Sequence, residues 1–240
     1  MKKFIIDEDV FKILPELNAG VLVLKNVQEN KKMSLTQDKE IKELLNNANK
    51  EAKKYVPNET ISDNDVVKVW RETYAKFPTK KGARCSLENL LKRVLHDNPV
   101  GSILPSVDIT NAISLKYAFP IGAEDVDKLD GDLHLSVMKG NEKFLPIGSE
   151  KEEPPYEGEI AYRDDFGAVC RCLNWRDGIR TEITDDTKYE FIVMECVESD
   201  RLTDLENALD ELSSLMCHYL DAQVVIKEVV NVDKNEIVIK

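Results

Sequence analysis

No stretch of the 240-residue chain approaches the ~20 consecutive apolar residues that a membrane-spanning helix requires. The N-terminus, Met1-Lys2-Lys3-Phe4-Ile5-Ile6-Asp7-Glu8, turns acidic after three apolar residues and has no signal-peptide core. A cytoplasmic protein without a membrane partner is expected. Cysteine is too sparse and too scattered for a disulfide framework: Cys85, Cys170, Cys172, Cys196 and Cys217 are five, an odd number. Cys170-Arg171-Cys172 has one intervening residue where zinc and redox motifs have two. His96, His134 and His218 show no metal-ligand spacing, so no metal is expected and the cysteines read as small buried side chains. Cations are the minority, 33 against 45 acidic residues for a net charge of −12, which argues against non-specific nucleic-acid binding through phosphates, and no DNA partner is expected. No Gly-rich phosphate loop, GxSxG elbow, HExxH helix or dinucleotide fingerprint is present. Hydride and phosphoryl transfer are thereby disfavoured, and no cofactor is expected. Nor is there a Gly-, Ser- or Pro-rich linker or an internal repeat. The acidic stretch from Gly148 to Gly158 reads as a surface loop.

What is present is 42% hydrophobic and 32% charged, enough for one sizeable core. Strand signals fall at Phe4–Ile6, Val21–Leu24, Leu133–Met138, Glu159–Tyr162, Ala168–Cys172 and Tyr189–Met194. Phe144–Ile147 is the expected hairpin partner of Leu133–Met138, and Asp164–Gly167 a turn. Helical spacing appears after a Ser34 cap (Ile41, Leu44, Leu45, Ala48, Ala52), from Ser62 or Asp63 (Val66, Val69, Trp70, Tyr74, Phe77), and after a Ser86 cap (Leu87, Leu90, Leu91, Val94, Leu95). It recurs from Val107 to Phe119 and from Thr203 to Leu220, the last followed by a hairpin of Gln223–Val230 and Glu236–Ile239. Helices and mostly antiparallel strands without strict β-α alternation imply an α+β fold.

Between Val66 and Pro120 nine basic residues face four acidic ones, a basic island on an acidic body. It reads either as one local anionic contact or as solvated helix faces. Two polar clusters stand in apolar sequence. In Val107-Asp108-Ile109-Thr110-Asn111-Ala112, Asp108 is placed to cap a helix. Asn111 projects from its first turn, a poor helix former whose amide offers donors and an acceptor. In Asn174-Trp175-Arg176-Asp177-Gly178-Ile179-Arg180-Thr181 an aromatic face, two guanidinium groups and a turn glycine meet between strands. They could stack a base or hold a carboxylate or phosphate, and equally form an ordinary hairpin with an Arg–Asp pair.

The order of these clusters carries a resemblance. Val107-Asp108-Ile109-Thr110-Asn111 with Ser114-Leu115, then Phe119-Pro120-Ile121-Gly122-Ala123-Glu124-Asp125-Val126-Asp127-Lys128-Leu129-Asp130-Gly131, resembles the B3/B4 domain of the bacterial phenylalanyl-tRNA synthetase beta subunit. Arg171 to Glu195 resembles the end of that domain. Trp70, Tyr74, Lys81, Ser86-Leu87-Glu88 and Arg93 resemble the freestanding B3/B4 proteins. The resemblance is strongest over 63–197. It implies a B3/B4-like fold, a mixed, mostly antiparallel sheet flanked by helices, in one domain over 1–240 with an N-terminal segment 1–62 and a C-terminal segment 198–240 packed onto it.

The resemblance implies an editing site that hydrolyses the ester between a wrong amino acid and tRNA. Such a second site is needed because one pocket discriminates by only ~1–3 kcal/mol per methylene. It implies that Asn111 lines the pocket; a compatible mechanism has Asn111 place the attacking water and the backbone N–H groups of Gly122 and Ala123, open to close approach because glycine has no Cβ, hold the oxyanion, one such donor being worth ~2.7–4 kcal/mol of barrier. Thr110, Ile121, Asn174, Trp175, Arg176, Asp177 and Thr181 would bind substrate, and Lys80, Lys81, Arg84, Lys92 and Arg93 the tRNA acceptor stem. The family pattern has a histidine where this chain has Gly122, so a histidine base and the synthetase's specificity do not carry over. The implied partner is the tRNA acceptor end carrying an amino acid, edited in trans. A non-catalytic tRNA- or amino-acid-binding module with the same fold is the alternative, and a protein-interaction module with a vestigial pocket a further one.

Overall fold

The computed structural model describes residues 1–27 and 33–240. In chain order it contains β1 (Lys3–Ile6), α1 (Glu8–Ile13), β2 (Asn18–Lys25), α2 (Leu35–Glu51), α3 (Asp65–Tyr74), α4 (Ser86–Leu95) and α5 (Pro105–Tyr117). There follow β3 (Ile121–Asp125), β4 (Leu133–Val137), β5 (Ile160–Arg163), β6 (Ala168–Arg171), β7 (Arg176–Asp177), β8 (Tyr189–Cys196), α6 (Leu202–Leu220), β9 (Gln223–Val230) and β10 (Glu236–Val238). The strands form a six-stranded sheet, β10-β1-β4-β5-β6-β7, and a four-stranded sheet, β3-β8-β2-β9. Among the described residues only the β1–β4 strand pairing is parallel; the others are antiparallel. The α+β architecture of flanking helices and mostly antiparallel strands is as expected.

The period of two in a strand explains the layering. In β2, Val21 and Val23 point into a core shared with Phe4, Leu135, Ile160 and Tyr162 of the six-stranded sheet. Leu22 and Leu24 point the other way, into a second core with Ile109 and Ile113 of α5 and Leu205, Leu209, Leu212 and Met216 of α6. The four-stranded sheet therefore lies between the larger sheet and helices α5 and α6, while α1, α3 and α4 pack into the first core. Gly20 marks the closeness of that packing: a Cβ there would stand 2.7 Å from Leu209 Cδ1.

Several local expectations are corrected. α4 is capped by Cys85, whose Sγ accepts the Glu88 N–H at 3.4 Å, while Ser86 is the first helical residue. α5 begins at Pro105, whose missing N–H costs nothing in the first turn, so Asp108 lies inside the helix and Asn111 in its second turn. The Asp108 carboxylate instead accepts from Ile103 N–H at 2.7 Å and from Ser102 Oγ, tying down the preceding loop. The partner of β4 is β5, not Phe144–Ile147, which runs beside the 177–179 segment through a Pro146–Gly178 bridge. β9 and β10 are not a hairpin, since β9 pairs with β2 and β10 with β1, one in each sheet. Past Pro120, the residues Ile121, Gly122 and Ala123 belong to the edge strand β3. The turn proper is Ala118, at a left-handed φ of 55°, held by Ser114 Oγ donating to Phe119 O at 2.6 Å.

Candidate functional site between the sheets

A cavity opens where the two sheets face each other. The smaller sheet contributes Gly122 and Glu124 of β3 and Phe191, Val193 and Glu195 of β8, each set at alternate positions of its strand. The larger sheet contributes Tyr162, Cys170, Leu173, Asn174 and Asp177. About 240 Å³ is empty and about 10 Å³ of it accepts water, room for roughly one molecule. An aminoacyl group therefore has to widen it.

Gly122 pairs with Val193 and Glu124 with Phe191 in the β3–β8 register. Glu195 lies four residues beyond Phe191 on β8, so Glu124 and Glu195 stand at opposite ends, about 13 Å apart along the strand. At one end Glu195, fully buried, accepts from Tyr162 OH at 2.8 Å and from Asn174 Nδ2 at 3.0 Å. Burial raises its carboxyl to about 7, with those two hydrogen bonds opposing the rise. At the other end Glu124 is pushed well above the usual range, first by burial and then by the charge of Asp177. Asp177 is also raised by burial, against a hydrogen bond from Cys170.

Asn174 reaches this place because the chain makes a tight reversal after β6. Cys172 and Leu173 have φ of 47° and 59°, and a buried ion pair holds them. Arg171 Nε and Nη2 donate to Glu159 at 3.0 and 2.6 Å, and Cys172 N–H donates to the same carboxylate at 3.0 Å. The planar guanidinium matches the carboxylate fork and leaves neither charge uncompensated.

The structure thus brings together Gly122, Asn174 and Asp177 of the sequence-derived set. Ile121 and Ala123 are on the opposite face of β3, packed with the helices, so they do not wall the cavity. Thr110 Oγ1 is engaged by Val107 O at 2.9 Å. Trp175 packs on the core, with Lys80 Nζ 5.8 Å and the Arg171 guanidinium 5.7 Å from its ring centre. Arg176 donates to Ile147 O at 3.3 Å. Thr181 is buried next to the cavity, its O accepting Asp125 N–H at 2.8 Å. Asn111 is half-buried on α5, which packs on β3; its amide makes no hydrogen bond among the described residues and it is not part of the lining.

Neighbouring N–H groups of a strand point to opposite sides, so Gly122 and Ala123 cannot both hold one oxyanion. Asp125 N–H leaves β3 on the edge side, toward Thr181. The alternation puts Ala123 N–H on that open edge and Gly122 N–H toward β8. A Cβ at position 122 would meet only Val193 Cγ1, at 3.8 Å, so glycine there is not a backbone requirement and its effect is to leave room.

The acceptor-stem candidates do not form one patch. Lys80 is paired with Glu153, and Arg84 shares the buried Glu88 with Arg71. Lys92 and Arg93 stand in the last turn of α4, about 9–11 Å along the axis from its start. Lys81, Lys92 and Arg93 have no carboxylate partner among the described residues.

Alongside the apolar Leu173, Phe191 and Val193, the lining holds the hydrogen-bonding residues Glu124, Tyr162 and Glu195, which local sequence reading did not single out. A signal existed for Glu195: in Phe191-Ile192-Val193-Met194-Glu195 it shares the face of Phe191 and Val193 and so must be buried. Among the described residues no group of three or more His, Cys, Asp and Glu side chains could hold a metal ion, and no helix is long and apolar enough to cross a membrane.

A family model described as the B3/4 domain matches residues 69–227. A curated relative, the phenylalanine–tRNA ligase beta subunit of Fusobacterium nucleatum subsp. nucleatum, is 31% identical over 100 residues, 42% of this chain. The match is 12% of that protein, so the chain corresponds to a small part of it. A solved N-terminal fragment of the phenylalanyl-tRNA synthetase beta subunit from Pyrococcus horikoshii aligns at a TM-score of 0.49 and 12% identity, covering 92% of this chain and 49% of that one.

Proposed function

The chain belongs to the B3/4 domain family, and from that premise we propose that it hydrolyses the ester of misacylated tRNA, acting in trans in the cytoplasm with the inter-sheet cavity as its aminoacyl site. The observation that carries the reading is that Gly122, of the stretch that resembles the family, faces Asn174 and Asp177 of the second polar cluster across a cavity bearing a carboxyl poised near neutrality.

An aminoacyl ester is already activated, so the protein needs to place water, accept its proton and receive the developing oxyanion. Glu195 is suited to the second task because a base is most effective when its pKa is near the working pH. Ala123 N–H is the unengaged backbone donor for the third. Asn111 does not line the cavity, so a contact of its amide with the ribose or ester requires the charged end of the tRNA to reach α5. Lys81, Lys92 and Arg93 are the cations available to tRNA phosphates. Release of amino acid from charged tRNA by the wild type, lost in both Gly122→Leu and Glu195→Gln with folding retained, is the expected test result; full activity in both variants contradicts the assignment.

The binding-module reading has its own observation: the lining contains no histidine and little open volume. Saturable tRNA binding without release of amino acid would favour it.

A further inference from the structure

The cavity carries three carboxylates and no cation in its lining. Glu195 has Tyr162 and Asn174 and Asp177 has Cys170, while the Glu124 carboxyl has only the Thr181 hydroxyl beside it. Glu124 is 5% exposed, and its Oε2 has no hydrogen-bond partner among the described residues. The cation whose charge reaches it, Arg180, is held by Asp164 Oδ1 at 2.7 Å and by Lys128 O at 2.9 Å, and Arg171 is committed to Glu159. The Thr181 hydroxyl opposes the rise of the Glu124 carboxyl, whereas the charges of Asp177 and Asp164 add to it. A buried carboxylate oxygen without a partner is costly, and over Gly122, on the same face of β3, a Cβ would meet only Val193 Cγ1, at 3.8 Å.

We infer that the cavity receives an amino-acid side chain ending in a positive charge, an ammonium or a guanidinium group, with Glu124 as its counter-ion. The inference rests on the proposal that the cavity is the aminoacyl site, and it names the class of amino acid. Both cations offer only donors, three or five of them, to a lining whose oxygens are short of donors. The stem of such a side chain lies against Gly122, Val193 and Phe191, and the charged end reaches Glu124. A carboxyl kept protonated by burial ionises when a cation arrives, so binding releases a proton to solvent and tightens as pH rises.

The test uses amino-acid amides, which bind without an ester to cleave. Calorimetric titration with L-arginine amide and L-lysine amide is compared with their uncharged counterparts, L-citrulline amide and L-norleucine amide, on the wild type, Glu124→Gln and Gly122→Leu. All four carry the same α-ammonium group, so its contribution cancels. The expected result is at least about tenfold tighter binding of the basic amides. Heats in buffers of different ionisation enthalpy should report proton release, the preference should vanish in Glu124→Gln, and binding should disappear in Gly122→Leu. Glu124→Gln should melt no lower than the wild type, because it removes a buried acid without changing shape. Equal affinity for the neutral amides, a preference that survives Glu124→Gln, or no binding of the basic amides at millimolar concentration overturns the inference. Hydrolysis of neutral aminoacyl-tRNAs with no preference for basic ones would also overturn it while leaving the deacylase reading intact.

Discussion

Asn174 donates its amide Nδ2 to Glu195 Oε2 at 3.0 Å, and its Oδ1 accepts from Tyr74 OH at 3.3 Å and Ser86 N–H at 3.2 Å. One side chain thereby links the turn after β6, strand β8, helix α3 and the start of α4. Both the nitrogen and the oxygen of the Asn174 amide are engaged in this way, so Asn174 shapes the cavity by holding Glu195. Asn174→Ala is expected to cost roughly 2–3 kcal/mol, since it leaves buried groups unpaired. Urea unfolding should show a larger effect at pH 8 than at pH 6, because the missing donor matters most to the ionised carboxylate.

Glu195 makes stability depend on pH with a definite sign. Its folded pKa, about 7, is above the ordinary value of 4.5, so between these limits the folded state binds the proton that the unfolded chain has released. The contribution is fully present below pH 4.5 and is lost as pH rises through 7. Its size is about 3 kcal/mol, from 1.36 kcal/mol per unit. Glu195→Gln should remove this component, seen as a flatter dependence of unfolding free energy from pH 5 to 8 than in the wild type.

The Arg171–Glu159 pair is fully enclosed, with side-chain exposures of 2% and 0%. Arg171→Met keeps much of the side-chain volume and strands the Glu159 charge, for an expected destabilisation of about 3–5 kcal/mol in urea unfolding. Replacing both partners by apolar residues should recover part of that stability. A double substitution no better than the single one would show that the hydrogen bonds to Cys172 and the neighbouring loop matter more than the charge.

Thiol reactivity should separate Cys217 from the rest. Burial pushes Cys85 and Cys172 up to about 12 and raises Cys170 and Cys196, whereas Cys217 is half-buried near the end of α6. Brief iodoacetamide treatment of the native protein should add one adduct at Cys217, and all five cysteines should react in urea. Early modification of Cys85 or Cys172 would mean that the inter-sheet region opens readily.

Sequence reading located Asn174 and Asp177 of the site because they belong to a local polar cluster whose strand-flanked setting is visible in the alternation. The Gly122 assignment came from the resemblance and its position in the lining from the structure. What was not legible is relational. Glu124 and Glu195 join Asp177 in one cavity only through the register of β3 on β8 and the facing of two sheets, and neither is encoded within a window of a few residues. Ile121 failed as a wall for the same reason, since the strand period turns it toward α5 and α6. The fold class followed from element types, but the hairpin pairings did not. Gln223–Val230 and Glu236–Ile239 look like a hairpin locally, yet the edges of two different sheets each take one strand.

The basic island also divides on inspection. Lys80 and Arg84 are engaged by Glu153 and Glu88, while Lys81, Lys92 and Arg93 have no carboxylate partner among the described residues. Charge removal at the latter three should weaken tRNA binding and flatten its salt dependence, by about one unit of slope for each phosphate no longer neutralised. Removal at Lys80 or Arg84 should change the slope little. The reverse pattern would place the acceptor stem nearer the α4 N-terminus.

The most direct test of the account is deacylation of a panel of tRNAs, each charged with a correct or an incorrect amino acid, by the purified protein and by Glu195→Gln. Hydrolysis confined to some mischarged pairs, rising with pH through about 7 and abolished in the variant, is the predicted result. Absence of hydrolysis across the panel, with tRNA still bound, contradicts the deacylase account and leaves a binding module in its place.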